Sequence, residues 1–388
     1  MPQTVLFIEG SGHLAGGGQF SLLGLLQNID RQQFKPLLVC PFEGSLTARA
    51  QEVQVQVEIV PMEALTGNPV NTLRALSRLK HLINRTQPAL IHANTSRSML
   101  YAGLSARKWG IPTLWHVRVI DSEGWYDKLL AGLSTKIIAI SEAVMKRFQW
   151  LHAKQPDKVK MIYNGVDIDA FHPDIKADHI REEFNIRMSS PIIGIIGNLL
   201  KWKGQRNFLQ AASEIVKVIP DAKFLIVGDG EDKGYLMNLC HRLGLGDCVF
   251  FTGRRYDIPK LMAAMDVIIH ASVEAEPFGR VVIEGMAMGK VVVATNAGGV
   301  REIIENDVTG FLIPPRNSSV MAEIIVQLIK DPARRKDVEI NARRRVERYF
   351  SLQEHTRQIE NLYRQIISLR QVGGSRYFVR QSDIIVGK

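Results

Sequence analysis

The stretch VLFIEGSGHLAGGGQFSLLGLLQNI, residues 5–29, passes from an apolar run through a glycine-rich loop into a segment of helical periodicity. Its first five residues suit a strand covered on both faces, while Phe20, Leu22, Leu23, Leu26 and Ile29 fall mostly at helical spacing. Outward from here the pattern repeats. Strands are predicted at PLLVC (36–40), VQVEIV (55–60), ALIHA (89–93), TLWHV (113–117), KIIAI (136–140) and KVKMIY (158–163), then at PIIGIIG (191–197), KFLIVG (223–228), CVFFTG (248–253), DVIIHAS (266–272) and KVVVAT (290–295). Leu73, Leu76, Leu79 and Ile83 predict a helix over Thr72–Ile83. Alternation of this kind predicts an α/β fold around parallel sheets. Between Asn164 and Pro191 it lapses into turn residues and charge without a convincing strand. Two tandem domains are therefore expected, residues 1–170 and 171–365, followed by a basic tail, 366–388. Gly10, Gly197, Gly228 and Gly253 each close a strand at the carboxyl edge of its sheet, where open α/β sheets bind ligands.

The composition, 46% apolar and 23% charged over 388 residues, excludes disorder, collagen and coiled coil. No apolar run reaches the roughly 18–20 uncharged residues of a spanning helix, and MPQTVLFIEG has neither a basic leader region nor a cleavage site. A cytosolic protein is expected. Cys40, Cys240 and Cys248 form no C-x-x-C and suggest neither disulfides nor a thiolate metal site. The net charge of +10 is uneven, with 13 Lys/Arg against 6 Asp/Glu in residues 333–388. That end reads either as a solvated helix face, RRKDVEINARRRVERYF, or as a patch for an anionic partner.

Three loops carry candidate chemistry. Gly10–Gly18 leaves a strand and enters a helix, so its backbone N–H groups could cradle a phosphate, although a flexible turn would read the same way. The next strand ends Val39-Cys40-Pro41-Phe42 and offers no ribose contact, so a redox dinucleotide gains little support. In VEAEPFGRVVIEGMAMG, Glu276 precedes a Pro-Phe-Gly turn and Glu284 follows eight residues later. A helix opening near Gly279 would aim the N–H groups of Phe278, Gly279 and Arg280 into the space the two carboxylates border, a mixture suited to sugar hydroxyls and phosphate together. Taken alone, Glu276 could equally be a solvated turn residue and Glu284 a helix-surface charge. Lys203, just before Gly204 in Gly197-Asn-Leu-Leu-Lys-Trp-Lys-Gly204, could reach an anion at the strand edge or simply be an exposed loop lysine.

Together these pieces resemble glycosyltransferase family 4, retaining nucleotide-sugar-dependent enzymes of the GT-B fold, in which two Rossmann-like domains face each other across a cleft. The resemblance covers about residues 5–330. Its most specific part is EPFGRVVIEGMAMGKVVVATNAGGVREIIENDVTGFLIPP, residues 276–315, with the E-x7-E pair and the Gly298-Gly299-Val300-Arg301-Glu302 turn. Gly16-Gly17-Gly18-Gln19 looks like the family's G-G-x-E with Gln for Glu, and Asn164-Gly165-Val166-Asp167 like its N-G-V-D turn. The resemblance implies that Glu276 contacts the donor sugar, Glu284 holds the ribose, Lys203 neutralises the diphosphate and Gly16 and Gly17 close over it. Phe278, Gly279 and Arg280 complete the donor site, and Arg254 lies in the loop that selects the base. His116 matches a family histidine near the reacting centre; as a lone histidine after an apolar strand it would read as a core residue. Asn198 stands where the family commonly has Arg, and Lys201 or Arg280 is the expected substitute.

The resemblance further implies hexosyl transfer with retention, without a metal and without a cofactor beyond the donor, a UDP- or GDP-linked sugar. No Asp-x-Asp motif of the metal-dependent transferases is recognised. The expected acceptor is a glycan or lipid-linked hydroxyl in cell-envelope or exopolysaccharide biosynthesis, read by His92–Arg97 and Arg118–Glu123. The helix-like segment Gln353–Arg370 and its arginines suggest a peripheral contact with an anionic membrane at its inner face, whereas the family's last helix packs back on the first domain. Nucleic acid is not expected, since no aromatic platform accompanies the basic residues. The alternatives are a catalytically weak sugar-nucleotide-binding protein of the same fold, for which Asn198 and Gln19 speak, or a GT-B-like epimerase or phosphorylase.

Overall fold

The computed structural model describes residues 1–63, 67–152 and 154–372. The chain divides into two units, one made of Met1–Gly165 with the helix Leu352–Val372, the other of Val166–Ser351. The stretch 352–365, expected in the second domain, therefore belongs with the first. The reason is apolar burial: Ile359, Leu362, Tyr363, Ile366 and Ile367 lie in the first unit's core beside Leu22, Leu25 and Phe34. Of the basic tail, residues 373–388 lie outside the described residues.

Seven parallel strands build the first sheet: β1 (Gln3–Ile8), β2 (Phe34–Cys40), β3 (Gln56–Ile59), β4 (Leu90–Ala93), β5 (Thr113–Val117), β6 (Lys136–Ala139) and β7 (Val159–Met161), in the order β3-β2-β1-β4-β5-β6-β7. The order reverses at β1/β4, which opens a crevice at the carboxyl ends of those two strands. Helices Pro69–Thr86, Ser96–Ala106 and Trp125–Leu133 pack side by side over one face; right-handed crossovers send Gly17–Asn28 and Ser45–Glu52 to the other, where the returning helix Leu352–Val372 packs beside Gly17–Asn28.

Six parallel strands build the second: β8 (Ile192–Ile196), β9 (Lys223–Val227), β10 (Val249–Gly253), β11 (Val267–His270), β12 (Val291–Thr295) and β13 (Phe311–Ile313), ordered β10-β9-β8-β11-β12-β13. Its switch point is β8/β11. Strand β8, IIGII, is apolar throughout because both its faces are covered, and Gly194 is required where a Cβ would stand 2.2 Å from the Met265 sulfur. The next helix, Gln205–Val218, buries Phe208, Leu209, Ala212 and Ile215 on one stripe, each large side chain contributing about 1.5–3 kcal/mol. Every predicted strand is present, most with ends shifted by one or two residues. β13 was not predicted: three residues at a sheet edge carry too little pattern to register.

Candidate active site

In the second unit the loops after β8 and β11 lie at the switch point and interlock. Gly204, at φ 75°, approaches the Ala271 carbonyl so closely that a Cβ would meet it at 1.9 Å, and Val273 donates its N–H to the Trp202 carbonyl at 2.8 Å. This brings Lys203 from one loop onto Glu276 from the other, Nζ to Oε1 at 2.5 Å. His270 Nε2 lies 3.0 Å from the same Oε1, and Ser272 donates its hydroxyl to it as well. Burial opposes the charge on Glu276, yet His270 and Lys203 outweigh it and hold the carboxyl well below the usual carboxylate range. All these donors converge on Oε1, so Oε2 is the oxygen left to a ligand. Gly298, at φ 61°, packs on the Glu276 backbone, and Gly299 donates its N–H to the Glu276 carbonyl at 2.8 Å. The carboxylate is thus fixed from both sides.

The helix Arg280–Ala287 opens at Gly279, whose φ of 115° only glycine adopts readily. Glu284 projects from its second turn, 6% exposed, with Arg280 Nε 2.5 Å from its Oε1. Glu276 and Glu284 are therefore neither solvated turn residue nor helix-surface charge. Asp167 and Asp169 do spell Asp-x-Asp, but Asp167 Oδ1 accepts the N–H groups of Asp169 and Ala170, both at 3.0 Å, and caps a turn.

The corresponding edge of the first unit is held by backbone and amide groups around one carboxylate, Glu9, and by one arginine, Arg118. Glu9, fully buried just past β1, accepts the Gly10 N–H at 2.7 Å, the Gln19 amide at 3.3 Å and the Asn94 amide. Gln19 Oε1 in turn accepts the Gly16 N–H at 3.1 Å, pinning the start of the helix Gly17–Asn28. Arg118, after β5, donates to Asn94 Oδ1 at 2.9 Å, to Asn164 Oδ1 at 2.7 Å and to His116 Nδ1 at 3.2 Å. An arginine has no acceptor, so His116 Nδ1 must accept. His92 Nε2, 3.1 Å away, then carries the proton, and its Nδ1 accepts from the Tyr363 hydroxyl at 2.5 Å. His355 Nδ1 donates to the Tyr163 carbonyl at 2.6 Å. Burial, and then Arg118, hold His92 and His116 well below the usual histidine range, and the same causes bring His355 down to about 4.

Models of two families match successive stretches of the chain: Glycosyltransferase Family 4 over residues 15–170 and Glycosyl transferases group 1 over residues 176–345. The chain belongs to glycosyltransferase family 4. It is similar, at 24% identity over 90% of this chain and 94% of the relative, to the UDP-Gal:alpha-D-GlcNAc-diphosphoundecaprenol alpha-1,3-galactosyltransferase of Escherichia coli. It is 29% identical to the N-acetyl-alpha-D-glucosaminyl L-malate synthase of Bacillus anthracis over 60% of each chain. HepE of Anabaena in complex with UDP-glucose superposes with a TM-score of 0.82 at 27% identity, over 94% of this chain and 100% of that one. The two Rossmann-like halves are those of the GT-B fold.

For a family 4 enzyme, the residues implied by the resemblance fall into two groups. Lys203, Glu276, Phe278, Gly279, Arg280 and Glu284 stand on the interlocked loops and helix start of the second unit, with Phe278 buried against Phe350. Asn198 is exposed, its carbonyl accepting from Gln205, and Lys201 is exposed beside it. Arg280 is engaged by Glu284, which leaves Lys201 as the nearer stand-in for the family's arginine. Arg254 is exposed, whereas Arg255 is tied to Glu183 and Asp257. Gly16 and Gly17 stand at the helix start of the first unit. His116 is fully enclosed, and Arg118, two residues on, is the part-exposed side chain at that strand end. Asn164 heads the N-G-V-D turn and Asn94 lies in the His92–Arg97 stretch, but neither was given a place in this network; Glu9, His270 and Ser272 belong to no local motif, and of these Glu9 alone, a carboxylate closing an apolar run, carried a signal that could have found it.

Proposed function

We propose that this glycosyltransferase moves a hexose from a uridine diphosphate sugar to a hydroxyl of a lipid-linked or glycan acceptor, with retention at the anomeric carbon and without a metal, in cell-envelope or exopolysaccharide synthesis. The observation that carries the reading is Lys203 and Glu276 in contact at the β8/β11 switch point, beside the helix start at Gly279 and the Glu284 carboxylate. Breaking the anomeric C–O bond leaves positive charge on the sugar ring and negative charge on the diphosphate. Lys203 uses one of its three N–H donors on Glu276; the others are for the diphosphate, with the helix end behind them. Oε2 of Glu276 accepts from a sugar hydroxyl, and Glu284 takes the ribose. The departing phosphate oxygen accepts the proton of the acceptor hydroxyl on the face it leaves, which gives retention. UDP is favoured over GDP because HepE is described with UDP-glucose and the E. coli relative uses UDP-Gal.

The test is release of UDP from UDP-glucose or UDP-galactose with a polyprenyl-diphosphate sugar as acceptor, in buffer with and without EDTA. Turnover unaffected by EDTA, giving an α-linked product by NMR, is expected. A β-linked product overturns retention, and the absence of both turnover and a UDP-induced rise in melting temperature overturns the donor assignment.

A further inference from the structure

Strand β11, VIIH at residues 267–270, lies between β8 and β12, and its last position carries a histidine where an inner strand of a covered parallel sheet calls for an apolar side chain. His270 is 7% exposed. Its Nε2 stands 3.0 Å from Glu276 Oε1 and carries a proton there, since an ionised carboxylate can only accept. The other ring nitrogen, Nδ1, is enclosed and has no hydrogen-bond partner among the described residues. A buried polar atom left unpaired costs stability, so folding alone would favour leucine or isoleucine at this position. What the imidazole offers in exchange is its bond to Glu276.

The backbone beside it is held at three successive residues. The Ala271 carbonyl abuts Gly204, where a Cβ would stand 1.9 Å away; the Ser272 carbonyl accepts the Thr295 hydroxyl at 2.7 Å; Val273 donates its N–H to the Trp202 carbonyl at 2.8 Å. His270 and Ser272 thus reach Oε1 from fixed points. Lys203, the third donor to that oxygen, is built otherwise. Its side chain is 23% exposed and ends a flexible stem, with Nζ 4.2 Å from the centroid of the Trp202 ring. A compact ammonium on such a stem follows the stronger anion, and a diphosphate carries more negative charge than one carboxylate. Glu276 then shares its cation, and its carboxylate can turn unless something fixed holds it.

We propose that His270 is a positioning residue of the transferase reaction, its Nε2–H holding Glu276 Oε1 while Lys203 serves the diphosphate, so that Oε2 stays aimed at a hydroxyl of the donor sugar. The inference rests on the proposed function and adds a division of labour to it. The lysine is shared between carboxylate and phosphate, whereas the imidazole belongs to the carboxylate alone. Its effect is confined to the sugar end of the donor, because UDP without its sugar has no hydroxyl for Oε2.

The test compares the full-length parent with His270→Leu and His270→Gln, measuring turnover of UDP-glucose and UDP-galactose and, separately, affinity for UDP. His270→Leu should lower kcat/KM for the sugar nucleotide about 10- to 100-fold, the range of one hydrogen bond to a charged group, while Kd for UDP changes less than about threefold. Its melting temperature should equal or exceed the parent's, because an apolar group replaces a side chain with an unpaired buried nitrogen. Glutamine brings an amide N–H close to where Nε2 stands, and His270→Gln should recover most of the lost rate. A parallel fall in UDP affinity and melting temperature, which a merely structural role would produce, overturns the proposal, as does His270→Gln no faster than His270→Leu. Parental turnover by His270→Leu overturns this inference alone, whereas a parent that turns over neither sugar nucleotide overturns the proposed function and this inference with it.

Discussion

The two sheets end in comparable crevices that are furnished in opposite ways. At β8/β11 the second unit concentrates full charges, Lys203 on Glu276 and Arg280 on Glu284, from two loops and one helix. At β1/β4 the first unit surrounds Glu9 with a backbone N–H and the amides of Gln19 and Asn94, and Arg118 ties Asn94 to Asn164 and to a chain of imidazoles that ends on the last helix. Charge at the first of these edges is what the proposed reaction would set against a phosphate, while the second edge is a hydrogen-bonded frame. Substitutions in the second unit should therefore register as rate, and those in the first as stability.

The largest expected effect is that of Lys203→Ala. Loss of the cation proposed to face the diphosphate should lower kcat by about 100- to 1000-fold, the scale of removing one preorganised donor from a developing anion. UDP release at saturating donor measures it, with little change in thermal unfolding. A loss confined to KM would break the contrast between the two edges.

Acid should distinguish them next. His355 titrates near 4 in the folded chain, below the ordinary 6.5, so its contribution is complete above about pH 6.5 and is lost as pH falls toward 4. Each unit of pH in that window costs about 1.4 kcal/mol for this one group, or about 2 kcal/mol at pH 5, and His92 and His116 shift in the same direction. Hydrogen exchange at pH 5 should show the first unit opening ahead of the second; simultaneous loss would remove the distinction.

Gln19→Glu sharpens the comparison within the first unit. Oxygen would replace the amide nitrogen 3.3 Å from Glu9 Oε1, exchanging a hydrogen bond for two carboxylates in contact. A loss of about 1–2 kcal/mol at pH 7 is expected in urea unfolding, shrinking as pH falls and one carboxyl takes up a proton. Pairing it with Glu9→Gln should restore most of the loss. Gln19 thus has a hydrogen-bonding role between Glu9 and Gly16 that a glutamate could not fill while both carboxyls are ionised.

The same contrast explains what the sequence disclosed. Val/Ile runs such as IIGII and VVVAT declare buried parallel strands, because period and residue type agree over five residues. Glu276, Glu284 and Lys203 were legible because each lies within a short motif whose spacing has geometric meaning. Glu9, Asn94, Asn164 and His355 are separated by up to 346 positions and meet only through the sheet order, which no local pattern encodes. His270 and Ser272 escaped for a smaller reason: inside DVIIHAS they looked like the end of a strand and nothing more. The enclosure of His116 likewise depends on His355, and that of its neighbour His92 on Tyr363, both arriving from the last helix.

That returning helix bears on biosynthesis. The second unit is one continuous stretch and can complete itself while translation proceeds, but the first, begun earlier, lacks Ile359, Tyr363 and Ile366 until residues 352–372 have been made. An unfinished N-terminal lobe thus waits, its apolar flank uncovered, while the ribosome travels the 186 codons of the second unit and then the 21 of the returning helix, and a holdase chaperone is the kind of helper such an interval calls for.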